Sequence, residues 1–401
     1  MKLIKNAEIV YNGELVKKDL LIKDGKIEKI SDKIENRDCE ILDIDGLYLF
    51  PGLIDLNVRL LNDVLSKKNI DKLVKSAKKG GVTTAVITSD FSPRLDSSTL
   101  LDFIKSDIEK LDLNLKITAP LVDETGVKLN NIATLINNGA SAIWTISSIN
   151  SNLLKRGMQY AYMKNKPIFC FCYDESLDDK GLMNEGIVSS KLGLSGISKY
   201  SESVEVAKVS ELSCEYNSKI VLQTLSTKRS LEIIQESKKI NPNIFSQVSI
   251  HHLIKNENSC DDFNTYAKIL PPLRDEEERK ALIEELKSGH IDTLTSAHSP
   301  KSVLYKDVAF KEALFGLGSI EEFFKLAYSY LVLKEGIDLT MLIEMLCEKP
   351  ANILGLKNKG KIKEGYDADL FVFNPNKKEQ FNNPTSIYDR DELVGEIRYI
   401  Q

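Results

Sequence analysis

Histidine and carboxylate side chains are the groups with which this sequence could bind a metal or transfer a proton, and histidine is scarce. The 401 residues contain four histidines: His251, His252, His290 and His298. Imidazole and carboxylate are usual ligands of catalytic zinc, so a metal-dependent hydrolytic site would have to use some of these four. His298 follows the short stretch Thr293–Thr295 and is the most site-like of them, although a hydrogen-bonded structural histidine at a strand end would have the same signature.

The remaining candidate groups favour structural roles. Cys170 and Cys172 are separated by one residue, not by the two-residue gap of zinc and redox motifs, and are predicted to be buried apolar side chains. Asp55, Asp174 and Glu175 could each bind a cation. Without imidazole neighbours, however, carboxylates more often cap helices or accept backbone N–H groups.

Composition excludes several classes of protein. A net charge of -5 and a pI near 5.7 argue against a nucleic-acid or membrane-surface partner. No window approaches the roughly 18 apolar residues of a membrane span, and the first residues lack the apolar core of a signal peptide. Six cysteines in a chain of this length are too few for a disulfide scaffold. We therefore expect a reduced, cytoplasmic protein.

Apolar strands alternate with amphipathic stretches through the middle of the chain, which predicts an α/β fold. Eight such strands over about 300 residues favour a (β/α)8 TIM-type barrel. A doubly wound open sheet is the alternative, but the sequence has no G-x-G-x-x-G phosphate loop. The strand candidates are Leu53–Val58, Thr83–Thr88, Lys116–Thr118, Ala142–Thr145, Ile168–Cys172, Lys219–Gln223, Ile244–Val248 and Thr293–Thr295. The helix candidates are Lys72–Lys79, Leu153–Met163, Val204–Tyr216, Lys228–Ser237, Glu276–Lys287 and Ile320–Leu333.

The two ends of the chain are predicted to join in a second, smaller domain. Asn12-Gly13 and Asp24-Gly25 are strong two-residue hairpin signals within the first 50 residues. A meander that small needs a partner, and Asp369–Phe373 supplies a late apolar strand. We predict a small β-sandwich-like domain built from residues 1–50 and 352–401, with the barrel at 51–351.

Motifs spread over essentially the whole chain resemble those of the cyclic amidohydrolases, and most closely a dihydroorotase of the long bacterial type. The order and spacing of the motifs carry this resemblance. They are Phe50-Pro51-Gly52-Leu53-Ile54-Asp55, Gly80-Gly81-Val82-Thr83-Thr84, Gly181-Leu182-Met183-Asn184-Glu185-Gly186, Leu225-Ser226-Thr227, His251-His252-Leu253, Pro271-Pro272-Leu273-Arg274, Lys349-Pro350-Ala351, Gly355-Leu356 and Gly365-Tyr366-Asp367-Ala368-Asp369-Leu370.

The resemblance implies an amide-ring hydrolase with one or two zinc ions at the carboxyl ends of the barrel strands. At the metal-ligand positions, however, this sequence carries other residues. The His-x-His of the first strand is replaced by Asn57 and Arg59, two later histidines by Phe171 and Thr224, and the final aspartate by Ala297. Asparagine is a poor zinc ligand, and an arginine does not deprotonate to bind a cation.

The implied bridging carboxylate and the substrate-binding positions have changed as well. No acidic residue lies in 139–173, where the bridging carboxylate is expected. Leu61 replaces the arginine that binds the substrate carboxylate in the family, and Asp90 replaces the asparagine beside that arginine. A second asparagine is replaced by Leu270, and the last histidine of the following loop by Lys301. We therefore predict that the zinc site is lost and that no cofactor is bound.

The altered positions should form a vestigial pocket, together with Asp55 and His298. Two of the replacements bring opposite charges to it, because Arg59 and Asp90 are both new there. A buried charge without a partner is costly. We predict that an ion pair of Arg59 with Asp90, or with Asp55, fills part of the vacated site.

The sequence is compatible with three functions. The leading hypothesis is a non-catalytic dihydroorotase homologue. The resemblance implies aspartate carbamoyltransferase, the preceding enzyme of pyrimidine synthesis, as its partner in a homo- or hetero-oligomer. The second is an active cyclic amidohydrolase with an atypical site, and the third is a small-molecule binding module. An open, polar pocket would favour the last two. The groups available for acid–base work are Asp55, Asp90, Asp174, Thr224, Ser226 and His298.

Overall fold

An eight-stranded parallel sheet, rolled into an almost closed barrel, forms the centre of the molecule. The computed structural model describes residues 1–35, 39–178 and 180–400. The barrel strands are β6 (Leu53–Val58), β7 (Val82–Ile87), β8 (Asn114–Pro120), β9 (Ala142–Ile146), β10 (Ile168–Phe171), β13 (Ile220–Leu225), β14 (Ile244–Ser249) and β15 (Thr293–Thr295), paired in that order. Each of the eight predicted strands is present, and the predicted barrel is confirmed.

Hydrogen bonds join the ends of the first and last barrel strands. The Thr295 hydroxyl donates to the Asn57 carbonyl at 3.3 Å, and the Arg59 amide donates to the His298 carbonyl at 2.7 Å. These bonds bring the ends of β6 and β15 together at the carboxyl end of the barrel. The segments that follow these two strands therefore share one site.

Helices cover the outside of the barrel. They are α1 (Lys67–Lys79), α2 (Ser98–Ile108), α3 (Ile132–Asn137), α4 (Ser151–Lys164), α5 (Ile187–Leu192), α6 (Tyr200–Tyr216), α7 (Lys228–Lys238), α8 (Ile250–Ile254), α9 (Glu276–Lys287), α10 (Phe323–Leu326), α11 (Leu339–Ile343) and α12 (Lys349–Leu354). The six predicted helices are present, but the stretch predicted as Ile320–Leu333 begins at Phe323 and changes to a π-helix over Ala327–Val332. None of the helices in the described part of the chain combines the length and apolarity that crossing a bilayer requires.

The side chains of β10 show how the barrel separates its two apolar layers. Phe169 packs inside the barrel with Trp144 and Val221. Cys170 and Cys172 belong to the layer between sheet and helices and are buried there. Since successive side chains alternate across a strand, Phe171 faces inward at the carboxyl end. The predicted burial of the two cysteines is confirmed.

The small domain is one seven-stranded sheet built from both ends of the chain. Its strands are β1 (Lys2–Tyr11), β2 (Glu14–Lys23), β3 (Lys26–Ser31), β4 (Glu40–Asp43), β5 (Tyr48–Pro51), β16 (Leu370–Gln380) and β17 (Glu392–Ile400). The predicted Asn12-Gly13 turn is present, with φ values of 52° and 84°. Such positive φ values match the twist of a two-residue hairpin. A two-stranded sheet of β11 (Met183–Asn184) and β12 (Gly196–Ile197) lies apart.

Candidate active site

A cavity of about 300 Å³ opens at the carboxyl ends of the barrel strands, where a barrel places its functional site. Its wall is partly polar and partly apolar. The segment 299–317, which follows β15, forms one side. The lining residues are Asn57, Arg59, Asp63, Phe171, Gln223, Thr224, Ser249, His251, His252, Ile269, Leu270, Ala297, His298, Ser299, Lys301, Leu314, Phe315, Gly316 and Leu317.

Most residues of the predicted vestigial pocket come together in this cavity. The exceptions are Asp55, Leu61 and Asp90, which do not line it. Leu61 lies in a single turn of 3-10 helix after β6 and is half-buried. Asp90 joins the site through the side chain of Arg59. The cavity is open and partly polar, so a small molecule could enter it.

Four charged side chains form a chain of ion pairs at the cavity. Arg59 pairs with Asp90, as predicted, and its Nη1 also lies 3.9 Å from Oδ1 of Asp63. Asp63 in turn pairs with Lys301, whose side chain is only 3% exposed. Two cations and two anions therefore neutralise one another. The predicted Arg59–Asp90 pair is confirmed.

The alternative pairing of Arg59 with Asp55 is wrong, because Asp55 is used within the barrel. Its carboxylate accepts hydrogen bonds from the Thr295 hydroxyl at 2.5 Å and from the Ser296 amide at 3.1 Å. Burial raises the pKa of this carboxyl group, while these hydrogen bonds oppose the shift. Asp55 thus fastens β6 to β15 beneath the cavity.

His298 is held in one tautomer by the backbone. Its Nδ1 accepts hydrogen bonds from the amides of Ser319 and Ile320, at 3.0 and 3.2 Å. An accepting Nδ1 has no proton, so the neutral ring carries its proton on Nε2. Burial lowers the pKa of His298 to about 3. His298 can therefore donate a hydrogen bond in the cavity, but it is a poor general base at neutral pH.

The other three histidines are structural. His251 bonds through Nδ1 to the Tyr388 hydroxyl at 2.7 Å, which ties the barrel to the segment before β17. His252 contacts the Ser249 hydroxyl at 2.7 Å and lies 3.2 Å from the Pro271 carbonyl. His290 contacts Glu285 at 2.6 Å and is partly exposed.

Gln223 and Asp63 are among the lining residues that sequence reasoning did not find. Gln223 lines the cavity beside Thr224, because the pairing of β13 with β14 becomes irregular after Leu222. Its Oε1 accepts the indole N–H of Trp144 at 3.0 Å, and its buried Nε2 has no hydrogen-bond partner among the described residues. Asp63 lies in an irregular turn with a φ of 55°. No periodic pattern in the sequence marks either position.

Comparison with known proteins gives the family. The amidohydrolase family model matches residues 48–391. The chain belongs to the amidohydrolase family. It is 33% identical to the dihydroorotase of Elusimicrobium minutum, over 94% of this chain and 88% of that one. It is 34% identical to the dihydroorotase of Ruminiclostridium cellulolyticum, over 95% and 90%. The resemblance to dihydroorotases is confirmed.

Solved structures show the same fold at lower sequence identity. An L-hydantoinase (dihydropyrimidinase) from Arthrobacter aurescens superposes with a TM-score of 0.89 at 19% identity, covering 99% of this chain and 94% of that one. A D-hydantoinase from Thermus sp. gives a TM-score of 0.85 at 21% identity, over 99% and 93%. The barrel and the small domain of this amidohydrolase are thus arranged as in those enzymes.

The donor groups in the cavity do not fit the zinc ions that such a family implies. Within residues 1–35, 39–178 and 180–400, no three histidine, cysteine, aspartate or glutamate side chains converge in a group that could hold a metal. His298 has its Nδ1 occupied by two amides, and Asp63 faces the cations Arg59 and Lys301. A guanidinium and an ammonium have no lone pair to offer a cation.

The family motifs that remain in this amidohydrolase build a buried polar network instead. Arg274 is 3% exposed and donates to the Ser226 hydroxyl at 3.0 Å and to Oδ1 of Asn184 at 3.1 Å. Ser226 donates to the buried carboxylate of Glu202 at 2.5 Å. Asn184 donates to Glu257 at 2.7 Å. The network joins three motifs to α6 and to the 3-10 helix Glu257–Phe263, so these motifs have a structural role.

Proposed function

We propose that this dihydroorotase-type amidohydrolase does not hydrolyse a cyclic amide and acts as a structural or regulatory subunit of aspartate carbamoyltransferase. The absence of hydrolysis is inferred from the chain of ion pairs at the strand ends, which joins Asp90, Arg59, Asp63 and Lys301. Hydrolysis of an unactivated amide requires a polarised carbonyl and an activated water or nucleophile. Here the cations that could polarise a carbonyl are already neutralised by carboxylates.

The groups left in the cavity also lack an activated base. His298 presents N–H rather than a lone pair, since its Nδ1 accepts two amides. Asp55 is buried, and its oxygens are bonded to Thr295 and Ser296. Neither arrangement matches a nucleophile paired with a base within hydrogen-bond reach. This supports a scaffold whose function lies on its surfaces.

The proposed role as a subunit rests on the resemblance to inactive homologues that assemble with aspartate carbamoyltransferase. A retained fold with an altered site keeps its surfaces available for assembly. We expect the full chain to co-elute with aspartate carbamoyltransferase of the same organism in size-exclusion chromatography and to alter its activity. Separate elution and unchanged activity over the accessible concentration range would contradict the role as a subunit, but not the absence of hydrolysis.

The first experiment combines metal content with catalysis. The purified chain is analysed for bound metal and assayed for dihydroorotate hydrolysis before and after zinc addition. The dihydroorotase of Ruminiclostridium cellulolyticum is the positive control in the same assay. We expect no stoichiometric metal and no turnover above background. Stoichiometric zinc with zinc-dependent turnover would overturn the proposal.

A second candidate function is an active cyclic amidohydrolase with an atypical site. It is favoured by the dihydroorotase relatives, which match more than nine-tenths of this chain, and by the open cavity of about 300 Å³. The same cavity would suit a small-molecule binding module. Turnover that survives chelation would select the enzyme, and saturable binding without turnover would select the module.

A further inference from the structure

Two buried lysines fasten the wall of the cavity. The wall segment 299–317 contains little regular structure besides one 3-10 turn, Val303–Tyr305. Lys306 of this segment donates from Nζ to the Thr265 carbonyl at 2.9 Å and to the Lys268 carbonyl at 3.1 Å. Lys268 donates in return to the carbonyls of Phe310 at 2.8 Å and Lys311 at 3.2 Å. Each lysine thus binds the backbone of the other segment.

Both lysines are buried without an opposite charge. Lys268 and Lys306 are each 2% exposed. Over the part of the chain that the structure describes, neither ammonium has a carboxylate partner. The charged groups that face Lys306 are Lys268 and Lys301, together with the thiol of Cys260. Lys268 has the rings of Phe310 and Phe315 at 5.4 and 4.8 Å from its Nζ.

This arrangement is sensitive to protonation. Burial and the neighbouring lysines lower the pKa of Lys306 to about 7, and burial lowers that of Lys268 to about 8. A lysine whose pKa is lower inside the protein than in water binds its proton more strongly once it is exposed. Protonation therefore favours any state in which the segment has moved away and the ammonium groups are solvated.

We propose that the segment 299–317 is a gate over the central cavity, latched by Lys268 and Lys306, and that protonation of the two lysines favours its opening. The latch lies next to the cavity, because Gly316, which lines it, donates its amide to the Lys268 carbonyl at 3.0 Å. Release of the lysines would therefore move the wall itself.

Hydrogen exchange of the full-length protein tests the gate. The reporter amides are those of Ser302 and Gly316, which donate to the side-chain oxygen of Asn62 and to the carbonyl of Lys268, both outside the segment. We expect their protection factors, corrected for intrinsic exchange, to fall on the order of tenfold between about pH 8.5 and about pH 6.5. Amides of β10 and β13 should show no such fall. Protection at Ser302 and Gly316 that does not depend on pH would overturn the proposal.

The single tryptophan reports whether the movement opens the cavity. Trp144 is 6% exposed and bonds to Gln223, which lines the cavity. We expect quenching of its fluorescence by acrylamide, a neutral quencher, to increase as the pH falls over the same range. If the amides lose protection while quenching stays constant, the segment moves without opening the cavity and the gate is excluded.

A matched pair of variants separates the latch from other lysines. Lys306→Met removes the titrating amine and should flatten most of the pH dependence of both signals. Lys311→Met changes an exposed side chain of the same segment and should keep the wild-type response. An identical response in both variants would contradict the assignment of the latch. The wild-type pH series stays decisive if Lys306→Met does not fold.

Discussion

Arg59 and Asp90 form the contact that most directly reports on the altered site. Their side chains are 29% and 21% exposed, so the pair is neither fully solvated nor deeply buried. We expect Asp90→Asn to lower the free energy of unfolding by about 1–2 kcal/mol, because Arg59 would then face only the more distant Asp63. Urea denaturation measures this. Glu236→Gln, which breaks an exposed pair with Lys239, is the control and should have little effect.

The three buried histidines predict that the stability of the fold depends on pH. Burial lowers the pKa of His251 and His298 to about 3 and that of His252 to about 4. A base with a lower pKa in the folded state stabilises the fold above its unfolded pKa and loses that contribution as the pH falls. We expect up to about 2 kcal/mol lost per histidine between about pH 6.5 and about pH 4.5.

Urea midpoints across that pH range test the loss of stability. His252→Gln should reduce the slope, whereas His290→Gln, at a partly exposed position, should leave it unchanged. A slope that is the same in both variants would show that carboxylates rather than buried histidines control acid unfolding.

Sequence reasoning located the Arg59–Asp90 pair because two opposite charges replaced neutral or metal-binding residues at neighbouring positions. It missed Asp63, which reaches Arg59 through a turn where both Asn62 and Asp63 have a φ of 55°. Side-chain direction in such a turn does not follow the two-residue period of a strand. It also mispaired Asp55, since a contact across the closure of the barrel depends on three-dimensional register.

At the scale of elements, the helix pair α6 and α7 is joined by one buried carboxylate. Glu202 accepts from the Thr227 amide at 3.1 Å, and from the hydroxyls of Thr227 at 2.9 Å and Ser230 at 2.7 Å. It thereby caps the start of α7 from α6. We expect Glu202→Gln to cost about 2–3 kcal/mol, because the amide N–H₂ would face donors that lose their acceptor. The exposed Glu211→Gln on the same helix is the control.

Strands were predicted well where both of their faces are buried, because such strands appear in the sequence as continuous apolar runs. Several barrel strands have this pattern, as in β10 and β13. The helices α2, α3, α5, α8, α11 and α12 were not predicted. All of these except α2 span only five or six residues. So short a segment contains too few turns to show a helical period.

At the scale of the whole chain, the fold and the side chains of the site can be considered independently. The fold superposes on a hydantoinase over 99% of this chain, and the positions where the family resemblance implies metal ligands carry other residues. The backbone at two of these positions is unusual, since Thr224 and Ala297 have φ values of 49° and 47°. Such conformations are rare for residues other than glycine and persist only where the surroundings impose them. The backbone is therefore held in a constrained geometry at these two strand ends.

This independence of fold and side chains predicts that metal binding can be restored by side chains alone. In the quadruple variant N57H/R59H/T224H/A297D, three imidazoles and a carboxylate would project from constrained strand ends, a sufficient set of zinc ligands. We expect stoichiometric zinc by metal analysis and a zinc-dependent rise in melting temperature, since a ligand that binds only the folded state stabilises it. The matched variant N57H/R59H/T224H/A297N lacks the carboxylate and should bind more weakly. If the quadruple variant folds but binds no zinc, the strand ends have themselves moved apart, and substitution alone does not explain the altered site.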